Sequence, residues 1–380
     1  PTWTIFSATP DSQTMPAIRP GKAWLRLTLI PGIGGETQRK LLAAFGLPEQ
    51  IFAANRSALR RIISDKAIDL LLETDNSSAV EAASLWAQQP GQHILTLADD
   101  DYPKALLDIP DPPTVLYARG RCELLAQPGL AIVGSRNATP QGESNARAFA
   151  AALAEEGLSI ISGLALGIDA AAHRGALSAG GTTVAVIGTG ADRLYPARNQ
   201  ALATEIAEKG VILSEFPLGT PAAAANFPRR NRLISGLARG VLVIEAAVES
   251  GSLITARMAG EQGREVFAIP GSIHAPQSRG CHRLIRQGAK LVETASDVME
   301  ELGSTIQPAR HSPSETLEND SLSSRILTCA GFDAVTIDEL VGRSGLTAEA
   351  LSVILLQLEL DGRVSSLPGG RYQRLAAERL

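Results

Sequence analysis

The sequence is organised around residues 227–271, which read FPRRNRLISGLARGVLVIEAAVESGSLITARMAGEQGREVFAIPG. Three of the first six residues in this stretch are arginines. Apolar runs at 241–244 and 266–269 enclose a Gly/Ser turn and a helical pattern. Strand, turn, helix and strand in this order place backbone N–H groups and a helix N-terminus at the carboxyl edge of a parallel sheet. Because a basic cluster precedes that edge, the stretch predicts a phosphate-binding site in an α/β fold.

Short apolar runs alternate with helical patterns on both sides of this stretch, over residues 130–293. Such alternation is typical of a buried parallel sheet with helices on both faces, as in Rossmann-like folds. Ligands of these sheets bind beyond the carboxyl ends of the strands. The residues that follow the predicted strands are therefore the first set of candidate binding residues: Gly134, Ser135, Arg136, Ser162, Gly163, Ser250, Gly251 and Ser252.

The basic cluster supplies a second candidate set, which the pattern places just before a helix: Phe227, Arg229, Arg230, Asn231 and Arg232. Guanidinium groups bind phosphate in a forked geometry and stack on bases, and the phenylalanine offers a further aromatic face. A single strand exposes both its phosphates and its bases, so the cluster favours single-stranded nucleic acid over duplex. A solvated basic surface is the alternative.

The composition is that of a globular chain, with 380 residues, 44% apolar residues and a net charge of −5. This length predicts two or three domains, and the negative charge confines any nucleic-acid surface to a local patch. No apolar run approaches the roughly 18 residues of a membrane span, so we expect none. Cys122, Cys281 and Cys329 lie far apart without metal-ligand spacing, which predicts reduced thiols in a cytoplasmic protein with neither metal nor cofactor.

Changes in composition divide the chain into five segments. We expect an irregular tail over 1–22, a small α-helical domain over 23–92, a Rossmann-like domain over 93–302, a linker over 303–321 and a winged helix over 322–380. The linker segment is polar and shows no periodicity. The third segment opens with short apolar runs between prolines, which predicts an edge strand.

The α-helical segment contains a turn that resembles a helix-hairpin-helix at residues 25–46. A first helix is expected to end at Ile30, and a second to begin near Glu36, after the turn Pro-Gly-Ile-Gly. The glycines of such a turn let backbone N–H groups approach a DNA phosphate without reading bases. The alternative is a plain helical hairpin without a ligand.

The third helix of the expected winged helix, at residues 347–360, contains no Lys or Arg and carries Glu349 and Glu359. A recognition helix in a major groove needs hydrogen-bond donors and positive charge. We therefore expect a protein-contact or spacer role for this domain, with the arginines of the wing as the argument for a DNA contact.

Signals for an enzyme are weak. There is no G-x-x-x-x-G-K and no G-x-S-x-G, and Gly188-Thr189-Gly190 lacks the third glycine of a dinucleotide site. Asp169 and His173 share a helix face, as an acid/base pair or, in the interpretation we favour, as a helix cap and a packed imidazole. Glu245, at a strand end, is expected to hold an arginine in place.

Six runs of the sequence carry a resemblance to the DNA-processing protein A family, also called DprA or Smf. They are IVGSRNATPQG, SGLALGIDAAAHRGAL, VAVIGTGADRLYPARN, LSEFPLG, the stretch at 227–271 and SRGCHRLIRQGAKLV. Together they cover residues 130–293 almost without gaps, so the sheet domain closely resembles this family. The family's sterile-alpha-motif-like helical domain and winged helix match the two ends of the chain more loosely.

The resemblance implies a non-enzymatic protein that binds single-stranded DNA during natural transformation, shields it and loads the recombinase RecA onto it. It implies that Arg136 and the basic residues of 229–232 contact DNA. Leu166 stands where some members carry Lys or Arg, which puts that contact in doubt here.

The resemblance also implies a homodimer joined through the Rossmann-like domain. Residues 279–293 place His282, Ile285 and Leu291 in a candidate apolar patch for this contact. Apolar patches rimmed by polar groups mark such interfaces. The alternative is that Ile285 and Leu291 belong to the ordinary core.

Two other functions compete with DNA binding in the sheet domain. One is a nucleotide phosphoribohydrolase-like enzyme that uses Glu245 and the turn at 250–255 on a ribose phosphate. Its usual Gly-Gly-x-Gly-Thr turn is not reproduced by Glu-Ser-Gly-Ser-Leu. The other is a winged-helix transcription regulator, which the acidic third helix disfavours.

Overall fold

The computed structural model describes residues 21–303 and 322–375. The predicted tail, apart from Gly21 and Lys22, and the predicted linker, apart from Gly303, lie outside these residues. Gly21 and Lys22 begin the first helix rather than ending a tail. Among the helices of the described residues, none is both long enough and apolar enough to cross a membrane.

A small helical domain opens the described chain, and its helices are α1 Gly21–Thr28, α2 Gly35–Phe45, α3 Pro48–Ala53, α4 Arg56–Leu59, α5 Asp65–Glu73 and α6 Ser77–Trp86. They enclose an apolar core to which Trp24 and Leu41 contribute. The predicted hairpin lies between α1 and α2, with the first helix ending two residues earlier than expected, at Thr28. Gly32 in the turn has a φ of +86°, a conformation that favours glycine.

A nine-stranded mixed sheet follows, with β1 Gln92–Thr96, β2 Val115–Gly120, β3 Gly129–Val133, β4 Ser159–Ser162, β5 Thr183–Val186, β6 Val211–Ser214, β7 Gly240–Val243, β8 Glu265–Ala268 and β9 Lys290–Leu291. The strand order is β1-β2-β6-β5-β4-β3-β7-β8-β9. Strands β3 to β9 run parallel to one another, and β2 pairs antiparallel with both β6 and β1. The predicted edge strand is β1.

Helices cover both faces of this sheet, and they are α7 Pro140–Glu155, α8 Ile168–Ser178, α9 Gln200–Lys209, α10 Asn226–Leu237, α11 Ser252–Glu261, α12 Arg279–Arg286 and α13 Ala295–Glu301. Strand β3 shows why both faces need cover, because all five of its residues are buried. Its side chains alternate between the faces: Ile132 packs in one cluster with Phe149 of α7, and Val133 in another with Leu233 of α10.

The central strand order β5-β4-β3-β7-β8-β9 is that of a Rossmann fold. Along the chain the sheet grows from β3 towards β6 and then resumes on the other side of β3 with β7. The order therefore reverses between β3 and β7, and a crevice opens outside the carboxyl ends of these strands. The predicted α/β fold with a Rossmann-like parallel core is confirmed.

The last described residues form the predicted winged helix, from α14 Leu322–Ala330, β10 Val335–Thr336, α15 Ile337–Ser344, α16 Ala348–Leu360, β11 Val364–Leu367 and β12 Arg371–Arg374. Its three strands pair in the order β10-β12-β11. The Thr347 hydroxyl accepts a hydrogen bond from the Ala350 N–H (3.3 Å) and so caps α16. Val353 and Leu360 of this helix are 70% and 76% exposed, so α16 presents apolar side chains to solvent.

Candidate nucleic-acid interface

A cleft of about 570 Å³ opens at the reversal of strand order, and we call it the rim cleft. The loop after β3, the first turn of α10 and the turn before α11 form its walls. Nine of the thirteen predicted binding residues line it: Gly134, Ser135, Arg136, Phe227, Arg230, Asn231, Ser250, Gly251 and Ser252. The sheet topology therefore brings together loops that lie far apart in the sequence.

Glycines let the loops of the rim cleft approach one another. A Cβ on Gly134 would lie 2.6 Å from Ile168 Cγ1 and 2.9 Å from the Glu245 carbonyl oxygen. Gly167 has a φ of +73°, and a Cβ there would lie 2.4 Å from the Ser135 carbonyl oxygen. Any side chain at these positions would push the loops apart, so the shape of the cleft depends on glycine.

The exposed wall of the rim cleft combines a cation with an aromatic ring, and a second ring lies beside the first. The Arg136 guanidinium lies 5.3 Å from the centroid of the Phe227 ring, within cation–π distance. The Tyr195 ring lies 5.9 Å from the same centroid and is half exposed. Phe227 packs close to Gly188, where a Cβ would lie 3.0 Å from its ring. Sequence reasoning missed Tyr195, because only the folded chain places it beside Phe227.

The arginine cluster lies inside a helix, and the prediction that it precedes one is wrong. Helix α10 begins at Asn226, and Pro228 falls in its first turn, where a missing N–H is tolerated. Successive helical residues turn by about 100°. Arg229 and Arg232 therefore point to one side of α10, whereas Arg230 points to the other.

Arg230 is a buried structural residue, only 4% exposed, and the prediction that it contacts phosphate is not supported. Its Nη1 donates a hydrogen bond to the Val186 carbonyl oxygen (2.6 Å). Burial lowers the pKa of Arg230 to about 10, and the Asp169 charge opposes this shift. The guanidinium lies against the backbone of Gly163, where a Cβ would approach Nη1 to 2.0 Å.

Asp169 ties the loop after β4 to this arginine. Its Oδ2 accepts hydrogen bonds from the N–H groups of Gly163 (3.1 Å) and Ala165 (3.4 Å). Burial raises the pKa of Asp169, and the Arg230 charge and both backbone N–H groups oppose the shift. Asp169 thus holds the preceding loop and does not cap α8 itself. Because the Gly163 N–H already donates to Asp169, the structure does not support its predicted contact with phosphate.

Two further predicted polar groups are also buried. The hydroxyl of Ser162 donates to the Ile132 carbonyl oxygen (2.7 Å) and does not face the rim cleft, so the prediction for Ser162 is wrong. His173 Nδ1 lies 2.6 Å from the Thr183 hydroxyl. Burial, with a smaller contribution from Arg230, lowers the pKa of His173 to about 3, so the imidazole is neutral. The packed-imidazole interpretation holds, and no acid/base pair with Asp169 faces the cleft.

Arg229 and Arg232 lie on the other side of α10, away from the rim cleft. Both donate hydrogen bonds to the Glu215 carboxylate, from Arg229 Nη2 at 3.2 Å. Arg232 is 7% exposed and also pairs with Asp111, at 2.8 Å from Nε to Oδ2. Burial raises the pKa of Glu215, and the charges of both arginines oppose the shift. Helical geometry thus divides a cluster that looks continuous in the sequence.

Glu245 stabilises the N-terminus of α7, and the prediction that it holds an arginine in place is wrong. Its two carboxylate oxygens accept hydrogen bonds from the Thr139 N–H (2.9 Å) and the Thr139 hydroxyl (2.6 Å). Thr139 in turn caps α7 by accepting from the Gly142 N–H (3.0 Å). Because both carboxylate oxygens have partners, Glu245 has an evident structural role and not the free position that a phosphoribohydrolase would need.

The predicted dimer residues differ in exposure. Leu291 of the edge strand β9 is 44% exposed. Ile285 of α12 is half-buried against the sheet core, as the alternative interpretation holds for this residue. His282 Nε2 lies 3.0 Å from the Gly271 carbonyl oxygen. Leu291 is therefore the outward-facing apolar member of the set.

Sequence comparison agrees with this architecture. Residues 93–303 match the family model of DNA recombination-mediator protein A, and residues 307–370 match the DprA winged helix domain. The chain is 41% identical to the protein Smf of Escherichia coli over 304 residues, which cover 78% of this chain and 81% of that protein. The chain belongs to the DNA processing protein A family.

Solved structures of DprA proteins share the fold. The structure of DprA from Streptococcus pneumoniae matches with a TM-score of 0.66 and 38% identity, over 76% of this chain and 99% of that one. DprA from Helicobacter pylori, whose structure is described as giving insights into a unique single-stranded DNA binding mode, matches with a TM-score of 0.51 and 33% identity. That match covers 55% of this chain and 95% of the Helicobacter chain.

Proposed function

We propose that this DprA-family protein binds single-stranded DNA in the rim cleft, without sequence preference and without catalysis. The observation that carries the proposal is the exposed Arg136 guanidinium over the Phe227 ring, at the mouth of a cleft walled by glycine loops. An arginine can pair with a backbone phosphate while an aromatic ring stacks on a base. The single-strand binding described for the Helicobacter pylori relative supports the same choice of ligand.

The proposed set of contact residues is smaller than the set predicted from the sequence. Arg136, Phe227 and Asn231 supply the side chains, and the turn at Ser250–Ser252 supplies hydroxyl and backbone donors at the start of α11. Arg230 supports the wall from beneath. Tyr195 adds a second aromatic surface next to Phe227. A duplex would hide the base faces that these rings require, so binding should prefer a single strand.

The test measures binding of labelled oligothymidylate and of a duplex of equal length over a series of salt concentrations. A single strand should bind more tightly, with a log–log salt slope of about −0.7 per phosphate contact. Arg136→Ala should flatten the slope by roughly one contact. Phe227→Ala should weaken binding by about 1–3 kcal/mol at an unchanged slope, because it removes stacking and not charge.

The matched control is Arg257→Ala on α11, an exposed arginine that does not line the rim cleft. It should leave both affinity and slope unchanged. Equal affinity for duplex, or an unchanged slope in Arg136→Ala, would contradict the proposal. Turnover of a nucleoside monophosphate that disappears in Glu245→Gln would instead favour the phosphoribohydrolase alternative.

The cellular role follows from the family resemblance. We infer that the protein shields incoming DNA during natural transformation and loads RecA recombinase onto it, in the cytoplasm. The three cysteines of the chain are free thiols, which supports a reducing compartment. The cation-free, partly apolar surface of α16 supports a protein-contact role for the winged helix. Truncation after Gly303 should therefore reduce single-strand affinity by less than about tenfold, or 1.4 kcal/mol.

We further propose a homodimer formed through the edge of the sheet at β9. Leu291 is exposed there, and a twofold axis would bring it against its copy. Leu291→Glu should shift the protein from dimer to monomer in light scattering without unfolding it. The control is Leu85→Glu on α6, where an apolar side chain is 54% exposed in the helical domain. A Leu291→Glu protein that remains dimeric would place the interface elsewhere.

A further inference from the structure

A second cleft of about 620 Å³ lies on the other side of α10, and we call it the α2 cleft. Gly34 and Gly35 at the start of α2 form one wall, with Arg39 one turn further along. Arg229 and Arg232 form the opposite wall. The start of α10 thus separates the two clefts, with Arg229 and Arg232 on one side and Phe227, Arg230 and Asn231 on the other.

Three arginines and three carboxylates line the α2 cleft, and ion pairs balance most of this charge. Arg229 and Arg232 are balanced by Glu215 and Asp111, which they contact. Arg39 has no ion-pair partner in the part of the chain that the structure describes, and its Nη1 donates to the Pro112 carbonyl oxygen (3.2 Å).

The pKa of Arg39 reflects mainly its partial burial. Burial lowers it, and the positive charge of Arg232 adds to the shift, while Asp111 opposes it. Glu36, the remaining carboxylate at the cleft, is 76% exposed and pairs with Lys40 (2.7 Å). The uncompensated charge at the cleft is therefore that of Arg39.

Two independent features add hydrogen-bond donors to this positive charge. Helix α2 has eleven residues, and Gly34 at its N-cap offers no side chain to the free N–H groups of the first turn. Arg232 lines the same cleft with less than a tenth of its surface exposed, and its Nη1 has no hydrogen-bond partner among the described residues. A buried guanidinium N–H without an acceptor is costly, and an oxyanion in the cleft would satisfy it.

We propose that the α2 cleft is a second subsite for a backbone phosphate of the single strand bound in the rim cleft. This inference rests on the proposed function. It assigns the turn between α1 and α2 a role in binding DNA. The strand would cross the first turn of α10, where Arg229 is more than half exposed, and place a later phosphate between Arg39 and the start of α2. Only oligonucleotides long enough to span both clefts would use the subsite.

The decisive variant is Gly35→Asp in the full chain. Gly35 has an ordinary φ, and the nearest atom to an added Cβ is the end of the flexible Arg39 side chain, at 3.0 Å. An acidic residue in the first turn stabilises a helix, so this change should not lower the melting temperature. It would, however, neutralise Arg39 and repel a phosphate. The variant therefore tests DNA binding without lowering the stability of the protein.

The probe is a series of labelled oligothymidylates from about 4 to about 16 nucleotides, the usual range of single-strand site sizes. Gly35→Asp should leave the shortest oligonucleotides unaffected and weaken the longest by about fivefold, with a salt slope flatter by about 0.7. Arg39→Gln should produce the same length-dependent loss. The control is Ser78→Asp, which adds the same charge to the first turn of α6, outside the α2 cleft.

Three results would overturn the inference. One is an unchanged affinity of Gly35→Asp for the longest oligonucleotides. Another is an equal loss at every length, which would make the α2 cleft part of the first contact. The third is an equal loss in Ser78→Asp, which would indicate a general effect of charge on the domain. Failure of the proposed function looks different, because Arg136→Ala would then leave the binding of even the shortest oligonucleotides unchanged.

Discussion

Arg136 and Arg230 line the same cleft, yet they differ in almost every physical respect. Arg136 is exposed and lies over the Phe227 ring. Arg230 is buried and is held by the Val186 carbonyl oxygen and the charge of Asp169. The same residue type therefore lies on the proposed binding surface in one layer of the rim and supports it in the layer beneath. Exposure and partners, not residue type, decide which role an arginine plays here.

The buried layer should determine stability far more than the exposed one. Arg230→Ala would remove the buried charge that offsets the burial of Asp169 and the donor to the Val186 carbonyl oxygen, a loss of about 3–5 kcal/mol. Urea unfolding followed by circular dichroism should show a lower transition midpoint at an unchanged slope. The double variant Arg230→Met with Asp169→Asn should recover part of the loss, since it removes both charges.

The exposed counterpart provides the control for this comparison. Arg136→Ala should change the free energy of unfolding by less than about 0.5 kcal/mol, because Arg136 is exposed and forms no ion pair with a buried group among the described residues. Similar midpoints for Arg136→Ala and Arg230→Ala would mean that the two layers are not distinct. A stable Arg230→Ala protein that loses DNA binding would return Arg230 to the binding surface.

His173 gives the buried layer a measurable effect on the pH dependence of stability. Its pKa is about 3 in the folded chain and about 6.5 when unfolded, so its stabilising contribution is present above pH 6.5 and lost as the pH falls towards 3. Between pH 6.5 and pH 5 this loss is about 2 kcal/mol. His173→Gln should remove that part of the pH dependence. The difference between the two proteins isolates it from the carboxylates Asp169 and Glu215, whose raised pKa values act in the opposite direction.

Identical pH profiles of unfolding for the unmodified protein and His173→Gln would contradict this assignment. They would mean that the imidazole is accessible to protons in the folded chain. DNA binding itself should be insensitive to His173 over this pH range, because the imidazole does not line the rim cleft.

The sequence was most informative where a local pattern repeats. Alternating apolar runs and helices predicted the Rossmann-like sheet, and six of the eight candidate residues after the strands line the rim cleft. The start of α10 was misplaced because Phe227-Pro228 looks like a loop, although proline is compatible with a first helical turn. The partners of Arg230 could not be predicted, since Asp169 and Val186 reach it only once the sheet is assembled. The position of Arg39 in the α2 cleft could not be predicted either, because Arg39 comes from another domain.

Gly163 shows how tightly the loop after β4 packs against the buried layer of the rim. A single methyl group there would collide with the Arg230 guanidinium, which is itself held by the Val186 carbonyl oxygen and stabilised by the charge of Asp169. Substitutions at Gly163 and Arg230 are therefore tolerated only in combination. Directed evolution that varies one position at a time should recover no functional variants at these two positions. New DNA-binding properties should arise instead at Arg136, Asn231 and Tyr195, where a replaced side chain has solvent to move into.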